Sequence, residues 1–457
     1  MPYESLEELR KSLSGVVEIK DEGVDVTDAD ALRGEPIDRL VRSAVFGDDD
    51  VREAARWIIW SASQALGCGS ASIQGLYDAM GRGEVSGFTV PAINLRGLTY
   101  DAARTVFSAA EKLGTGPVIF EIARSEVGYT EQRPAEYVSS VLGAALKEGW
   151  KLPVMLQGDH FQFKLAKMKK DPAPEVESVK ALTREAIAAG FYNIDVDSST
   201  LVDLDKDTLQ EQQRANYERC AEITKLIREV QPEGITVSVG GEIGEVGGKN
   251  STVEEFCAFM DGFAETAPDI KGISKISVQT GTSHGGVPLP DGSVAEVKLD
   301  FGVLESITKA AREKYGISGA VQHGASTLPD EAFHHFPKTG ASEIHLATGF
   351  QNIIYDHEKF PSELRDEIYK HLEENHASER KEGQTDEQFI YKTRKKGFGP
   401  FKRQVWDLPA EVRAAICEQL QEKFSFLFDQ LGTRDTADVL KRHVIPVPVP
   451  HPKPDVL

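Results

Sequence analysis

Eight short runs rich in valine and isoleucine recur along the middle of this chain, and amphipathic stretches long enough for helices separate them. This alternation is typical of strand–helix units that build a parallel sheet. The strands are predicted at 87–94, 117–123, 153–159, 192–197, 236–242, 273–280, 319–323 and 343–348. The helices are predicted at 99–113, 134–148, 175–189, 206–230, 252–265, 300–315 and 329–338. Eight such units favour an α/β fold of the closed (β/α)8 TIM-barrel type over a doubly wound sheet.

The barrel is predicted to occupy residues 71–360, with an extension at each end. Residues 1–70 are predicted to form a polar, helical extension that packs on the barrel. Residues 361–457 are predicted to contain a charged, exposed excursion at 372–400, a helix at 409–431 and an extended tail. Prolines forbid a helix in the tail. We expect the tail to dock on a neighbouring subunit or to stay mobile.

Polar residues suited to metal binding follow the predicted strands at their carboxyl ends. They are Asp159-His160, Asp197, Glu242, His284, His323, and His345 with Thr348. Barrels of this type build their active sites at that rim, from several strands. Three histidines that leave one coordination position open are a pattern of catalytic zinc. A metal site at this rim is therefore expected, because three of the chain's eleven histidines converge there with carboxylates.

Six short motifs occur in the order, and at roughly the spacing, of a known family. They are AIN (92–94), DH (159–160), DVDSSTL (195–201), GEIGEVGG (241–248), GTSHGG (281–286) and HGAST (323–327). In this region the chain resembles the class II, metal-dependent ketose-bisphosphate aldolases, of which fructose-bisphosphate aldolase is the best-known member. The resemblance implies a (β/α)8 barrel, a homodimer or homotetramer, and a small sugar phosphate as the substrate.

The resemblance also implies which residues hold the metal. His160, His284 and His323 match the ligands of one catalytic Zn2+ ion. Glu242 matches a carboxylate that ligates, or lies beside, an alternative metal position. A monovalent cation near the phosphate-binding loops is also usual in the family.

Catalytic and substrate-binding roles carry over in the same way. Asp159 matches the residue that exchanges a proton with the aldehyde oxygen, and Asp197 matches an aspartate that helps to arrange the site. Lewis-acid stabilisation of an enediolate and proton transfer by a carboxylate explain these residue types. The residues that match substrate-binding positions are Asn94, Gly285, Gly324, Ser326, Thr348 and Arg403.

The substrate-contacting part departs from the family pattern. The family shows Asn-x-Asp-Thr at the eighth strand, whereas this chain has His345-Leu346-Ala347-Thr348. A family glutamate just past Gly247-Gly248 is replaced by Lys249. The family arginine before Val-Trp is offset by one position, so Lys402 and Arg403 are the candidates for that role. An aldol-type step is therefore expected on a phosphorylated ketose that need not be fructose 1,6-bisphosphate.

Three functions stay open at this point. The first is a zinc-dependent aldolase that cleaves fructose 1,6-bisphosphate or a related ketose to dihydroxyacetone phosphate and an aldehyde. The second is a non-catalytic, aldolase-like partner subunit, which the missing loop glutamate favours. The third is a metal-dependent hydrolase, which would typically carry His-x-His at the end of the first strand, where this chain has Ala92-Ile93-Asn94.

Charge and composition bear on partners and compartment. The net charge is −21, from 52 Lys and Arg against 73 Asp and Glu, which disfavours nucleic-acid binding. No apolar run approaches the length of a membrane span, and the first residues lack the features of a signal or transit peptide. The four cysteines lie far apart and form no CxxC pair. A cytoplasmic location with reduced thiols is therefore expected.

Overall fold

The chain begins with a helical unit that contains one β-hairpin. The computed structural model describes residues 1–244, 248–281, 289 and 299–457. The elements of this unit are α1 (Leu6–Leu13), β1 (Val17–Lys20), β2 (Gly23–Val26), α2 (Ala29–Leu32), α3 (Glu35–Phe46) and α4 (Asp49–Ala65).

The hairpin of β1 and β2 was not expected from the sequence. The apolar patch of this unit lies in α4, where Trp57, Ile58, Ile59 and Trp60 are all buried. Adjacent residues of a helix face different directions, so burial of four in a row means that α4 is covered on several sides.

A closed barrel of eight parallel strands follows. Each strand pairs with the next in chain order, and the last pairs with the first through Ile344 and Pro91. The short strand β3 (Ser70–Ala71) pairs with β6 outside the ring. The ring consists of β4 (Val90–Asn94), β5 (Ile119–Ala123), β6 (Val154–Asp159), β7 (Asn193–Asp195), β8 (Ser238–Glu242), β9 (Lys275–Val278), β10 (Ala320–Gln322) and β11 (Glu343–Leu346). The predicted (β/α)8 fold is confirmed, with each strand inside its predicted run.

Helices surround the ring, and local sequence signals set their ends. The left-handed glycines Gly114 and Gly149 end α6 and α8, and a capping box between Thr252 and Glu255 starts α12. The helices are α5 (Gln74–Gly81), α6 (Thr99–Leu113), α7 (Arg124–Tyr129), α8 (Pro134–Glu148), α9 (Leu165–Lys170), α10 (Pro172–Ala189), α11 (Leu209–Val230), α12 (Val253–Thr266), α13 (Phe301–Ala310, continued by a π-turn at Ala311–Tyr315), α14 (Phe336–Thr339) and α15 (Thr348–Asp356). Short 3-10 turns occur at Ser199–Leu201, Asp330–His335, Ala377–Glu379 and Arg394–Gly397.

The C-terminal region folds back on the barrel. Its helices are α16 (Ser362–His376), α17 (Asp386–Thr393), α18 (Lys402–Trp406), α19 (Ala410–Gln430) and α20 (Ala437–His443). The predicted helix at 409–431 is therefore present as α19. The expectation of an exposed excursion at 372–400 was wrong in part, because Phe389, Arg394 and Phe398 are buried. The many charges of this segment lie around a few apolar anchors that the composition does not reveal.

The proline-rich tail is extended, as predicted, and it lies on the chain's own α4. Trp57 Nε1 donates to the carbonyl of His451 at 3.0 Å, and Trp60 Nε1 donates to that of Val449 at 2.8 Å. The Trp60 and His451 rings stack with centroids 4.0 Å apart. The tail therefore joins the two ends of the chain. No helix among the described residues has the length and apolar character to cross a membrane.

Replacing Gly190, the left-handed residue that ends α10, tests how α4 packs on the barrel. An added Cβ would lie 2.4 Å from the Trp60 ring, and the φ angle there is 110°. We expect Gly190→Ala to lower the free energy of unfolding by about 3 kcal/mol, from strain and overpacking. The measurement is urea unfolding. The control Gly87→Ala has φ 93° and open space, so it should lose only about 1 kcal/mol. Equal losses would contradict this packing.

Candidate active site

Two of the predicted metal ligands meet at the carboxyl-end rim of the barrel. The rings of His160 and His323 lie with centroids 4.2 Å apart. Their Nε2 atoms lie 3.9 and 3.8 Å from Oδ1 of Asp159. The three side chains thus offer imidazole nitrogens and a carboxylate oxygen around one small volume, and such donors suit zinc. The third predicted ligand, His284, and the predicted substrate residue Gly285 lie outside the described residues.

Carboxylates hold the opposite nitrogen of each ring. Nδ1 of His160 lies 2.9 Å from Asp197 Oδ2, and Nδ1 of His323 lies 3.2 Å from Glu242 Oε2. Gln162 Nε2 also donates to Asp197, at 2.6 Å. Carboxylates placed in this way fix the orientation of ligating histidines and make them better donors. The pattern matches the arranging role predicted for Asp197, while direct ligation by Glu242 stays a prediction.

An unusual backbone conformation aims His160 at this volume. Its φ is 42°, in the left-handed region that residues other than glycine seldom adopt. The chain then runs beside the continuation of β7, because the amides of Phe161 and Phe163 donate to the carbonyls of Asp195 and Asp197. Such strain persists where surrounding contacts impose it, and it is frequent at functional sites.

The site has a strongly negative potential. Burial alone lowers the pKa of His160, but the charges of Asp159 and Asp197 outweigh burial and hold that pKa well above its usual value. A cation placed between the rings would relieve the same potential. The residues present therefore fit a divalent metal.

Beneath the histidines, the barrel interior contains a buried lysine that the sequence analysis did not single out. Lys275 Nζ lies 3.0 Å from Asp195 and 2.5 Å from Glu343, and it donates to Gln157 at 2.8 Å. Gly240 makes room for the Asp195–Lys275 pair, since a Cβ there would lie 2.2 Å from the Asp195 carboxylate and 2.9 Å from Lys275 Cε. Apolar branched residues normally fill such interiors. The sequence did contain one signal for this residue, because a lysine at an inward-facing position of an otherwise apolar strand is unusual.

His345 is a second residue whose role the sequence analysis missed. Its Nε2 lies 2.6 Å from Glu343, and its Nδ1 lies 2.9 Å from Glu121 and 3.3 Å from Asp159. Burial raises the pKa of Glu121 to about 7. Lys275, Asp195 and Glu343 form the charged floor of the barrel, and His345 connects this floor to Asp159. His345 stands at the position where the family pattern has an asparagine.

A cavity of about 260 Å³ opens above these residues. Most of the predicted site residues in the described part of the chain line it, namely Asn94, Asp159, His160, His323, Gly324, Ser326 and Thr348. The basic part of the cavity wall consists of Arg96, Arg124, Lys164 and Lys395, none of which the sequence analysis named.

Arg403, the predicted C-terminal substrate ligand, does not line this cavity. It is exposed, and its guanidinium lies 4.4 Å from the ring centroid of Phe46 in α3. The alternative candidate, Lys402, donates to Glu136 at 2.7 Å. The short helix α18 directs both side chains towards the N-terminal unit and α8. Their expected contact with substrate is therefore corrected, and Lys395 is the basic residue that this part of the chain brings to the cavity.

Fold and site together define a (β/α)8 barrel with a metal-type cluster at its carboxyl-end rim. Residues 76–425, most of the chain, match the family model described as fructose-bisphosphate aldolase class-II. The chain therefore belongs to the class-II fructose-bisphosphate aldolase family. No curated protein matches the sequence significantly.

Several solved structures resemble the chain at low identity. The YdjI aldolase from Escherichia coli K12 is 16% identical, with 79% of this chain and 98% of that chain covered and a TM-score of 0.42. A fructose-bisphosphate aldolase from Campylobacter jejuni is 17% identical, with 80% and 96% covered and a TM-score of 0.48. A fructuronate-tagaturonate epimerase from Cohnella laeviribosi is 12% identical, with 95% and 90% covered and a TM-score of 0.49. The family assignment rests on the family model and not on these likenesses.

Removing the carboxylate charge behind His160 tests the metal centre. We expect Asp197→Asn to weaken zinc binding by about 10- to 100-fold, as is usual for a lost outer-shell carboxylate. The measurement is competition between the metal-free protein and a chelating dye. Asp207→Asn, which removes an exposed carboxylate outside the site, is the control and should bind zinc like the wild type. Equal affinity in all three proteins would argue against this centre.

Lys275→Met tests the charged floor. Loss of the lysine leaves Asp195 and Glu343 without a compensating charge, which costs about 3–5 kcal/mol for a broken buried pair. Burial already raises the pKa of Asp195 to about 6. At Glu343 the charge of Lys275 and the contact with His345 outweigh burial and hold the pKa at about 2, so loss of the lysine raises both carboxyl pKa values. Groups whose pKa is raised on folding favour the folded state at low pH.

The loss in free energy of unfolding should therefore be larger at pH 8 than at pH 5.5. Urea unfolding of Lys275→Met at the two pH values measures it, with Lys309→Met, an exposed lysine, as the control. A loss that does not change with pH would contradict this description of the floor.

Proposed function

We propose that this protein is a zinc-dependent aldolase that reversibly cleaves a phosphorylated ketose to dihydroxyacetone phosphate and an aldehyde. The observation that carries the proposal is the convergence of the His160 and His323 Nε2 atoms on Asp159 in a barrel of this family. It supports the aldolase over the partner subunit, because a subunit without catalysis gains nothing from an open metal site.

His160 and His323, with His284 as the third predicted ligand, are the residues that would hold the metal. When bound, zinc supplies a Lewis acid that draws negative charge from the substrate's carbonyl oxygen. Asp197 and Glu242 act through the histidines, because they keep each Nδ1 occupied and so direct Nε2 into the cavity.

Asp159 is the residue proposed to move the proton of the reaction. In cleavage, its carboxylate takes the proton from the hydroxyl on the carbon that becomes the aldehyde, and the carbon–carbon bond then breaks. In condensation, the same oxygen returns the proton to the new hydroxyl. His345 Nδ1, 3.3 Å from Asp159 Oδ1, fixes the orientation of that carboxyl group. Asp159 is only 6% exposed, and this burial keeps bulk water from competing for the proton.

The remote end of the substrate is proposed to bind at Gly324, Ser326 and Thr348. These residues line the same cavity and offer hydroxyl and amide donors. Arg96 donates to Thr348 Oγ1 at 3.3 Å and so adds positive charge beside them. Anchoring a phosphate there would align the reacting carbon, which makes the chemical step effectively intramolecular.

The test is triose-phosphate release from fructose 1,6-bisphosphate and tagatose 1,6-bisphosphate, followed with a coupled dehydrogenase. We expect release by the zinc-loaded protein that a chelator abolishes and added zinc restores. Asp159→Asn should lower kcat by about 10²- to 10⁴-fold, the usual contribution of a positioned acid–base group, while Asp207→Asn should not.

Two results would count against the proposal. One is release that persists at full rate after the metal has been removed and verified absent. The other is a protein that binds no zinc at all, which would favour the partner subunit.

A further inference from the structure

The proposed mechanism accounts for one of the two protons that an aldol cleavage moves. Asp159 takes the hydroxyl proton from the carbon that becomes the aldehyde. When the carbon–carbon bond breaks, its electron pair stays on a carbon of the other product. That carbon must gain a proton before dihydroxyacetone phosphate can leave, and condensation must remove the proton again. The cavity therefore needs a second acid–base group.

Among the described residues, the carboxyl groups that line the cavity belong to Glu121, Glu126 and Asp159. Both oxygens of Glu126 are engaged, because Oε1 accepts from Arg96 at 2.7 Å and Oε2 accepts from Asn94 at 2.5 Å. Burial alone would raise the pKa of Glu126, but the charge of Arg96 and these hydrogen bonds outweigh burial and lower it. Glu126 is therefore held as a carboxylate and is a poor proton donor. Glu121 is the carboxyl group left for the second proton.

Glu121 lies in β5, near the carboxyl end of the strand, and is only 1% exposed. Its Oε2 lies 2.9 Å from Nδ1 of His345 and accepts from Nε2 of Gln157 at 3.2 Å. In the part of the chain that the structure describes, Oε1 of Glu121 has no hydrogen bond or ion pair. This oxygen is therefore open to a ligand that enters the cavity.

The same nitrogen of His345 brings Glu121 close to Asp159. Nδ1 lies 3.3 Å from Oδ1 of Asp159, and the carboxylate oxygens of Glu121 and Asp159 lie within 4.8 Å of each other. In the substrate, the hydroxyl oxygen that gives up its proton is two bonds away from the carbon that must gain one. Two carboxyl groups this close can serve both positions of one bound molecule. His345 itself is held on its other side by Glu343, at 2.6 Å.

The environment of Glu121 suits a group that both donates and accepts a proton. Burial raises its pKa to about 7, and the negative charges of Asp159 and Glu343 act in the same direction, while His345 opposes them. The acid and the carboxylate are therefore both populated near neutral pH. An acid–base group works best when its pKa lies close to the pH at which the enzyme operates.

We propose that Glu121 protonates the product carbon in cleavage and removes a proton from the same carbon in condensation. In cleavage, the O–H bond of the Glu121 carboxyl group breaks, and a C–H bond forms with the electron pair that the broken carbon–carbon bond left behind. Glu121 becomes a carboxylate and regains a proton from solvent after product release, when Asp159 loses the one that it took. The inference rests on the proposed function and assigns a step that it leaves open. Lys249, which replaces the family glutamate, is paired with Glu255 at 2.6 Å.

The test follows the exchange of a carbon-bound hydrogen of dihydroxyacetone phosphate with D2O by proton NMR, on the zinc-loaded protein without any aldehyde. We expect Glu121→Gln to slow this exchange by about 10²- to 10⁴-fold, the usual contribution of a positioned acid–base group. Glu121→Asp, which keeps the carboxyl group but withdraws it, should retain part of the rate. Glu265→Gln, which changes an exposed glutamate outside the cavity, is the matched control and should exchange like the wild type.

A second readout separates a catalytic role from a structural one, because a structural role would affect every step alike. Hexacyanoferrate(III) oxidises the carbanion that forms when the ketose bisphosphate is cleaved, so its reduction reports bond cleavage before the carbon is protonated. We expect Glu121→Gln to reduce hexacyanoferrate(III) at close to the wild-type rate. Its release of dihydroxyacetone phosphate should fall together with the exchange.

Circular dichroism and zinc titration check that each variant is folded and loaded, and Glu121→Asp takes the place of Glu121→Gln if the latter is not. Exchange at the wild-type rate in the folded Glu121 variant would overturn the inference. Equal losses of exchange and of hexacyanoferrate reduction would assign a structural role and also overturn it. Glu245→Gln is measured in parallel, and Glu245 lies outside the described residues. Exchange that is lost in Glu245→Gln but kept in Glu121→Gln would assign the step to Glu245 instead.

The two readouts distinguish this inference from the proposed function. If the wild type exchanges the hydrogen in a Glu121-dependent manner but cleaves no ketose bisphosphate, the inference stands and the proposed cleavage fails. If the wild type cleaves a ketose bisphosphate and Glu121→Gln exchanges the hydrogen normally, the proposed function stands and the inference fails. A wild type that exchanges no hydrogen would also overturn the inference.

Discussion

The ion pairs of Lys275 are the interactions on which the rest of the site depends. The lysine lies almost fully buried inside the barrel, between Asp195 and Glu343. Without it, two carboxylates would stay in a region from which water is excluded, and desolvation would oppose their charge. With it, Glu343 remains an acceptor for His345, and His345 in turn lies against Asp159. One buried cation thus supports a line of contacts that reaches the residue proposed to move the proton.

The same charge balance explains why the rim suits a metal. Asp159, Asp197 and Glu242 surround His160 and His323, so three carboxylates lie close together at the rim. Inside the barrel, Lys275 balances the charges of Asp195 and Glu343, whereas the donor set at the rim suits a metal cation. The barrel therefore has two groups of charged residues. The group around Lys275 lies inside the barrel and balances its own charge, and the group around His160 and His323 lies at the rim and suits a metal ion.

The C-terminal region completes the cavity. It brings Lys395 to the basic wall, and the buried side chain of Arg394 holds the turn in place through Asp356 and Asn352. The family model also continues beyond the eighth strand, to residue 425. The tail beyond α20 lies on α4, far along the chain, so both ends of the sequence are tied to one body.

The amino-acid sequence by itself determined the barrel and most of its rim. Strand–helix alternation is a local property, and in a parallel barrel it brings every strand's carboxyl end to one side, so His160, His323, Asp159 and Asp197 could be placed together. Their pairing could not be predicted, because it depends on a left-handed backbone at His160 and on the register of β6 with β7.

Tertiary structure alone decided the remaining parts. Lys275 and the contacts of His345 became visible only when the strands faced each other across the ring, and Lys395 only when a distant segment folded over it. The position of Arg403 outside the cavity could not be predicted either, because a motif records spacing along the chain and not the direction in which a short helix points its side chains. Local patterns follow from neighbouring residues, whereas contacts between distant segments depend on the packing of the whole chain.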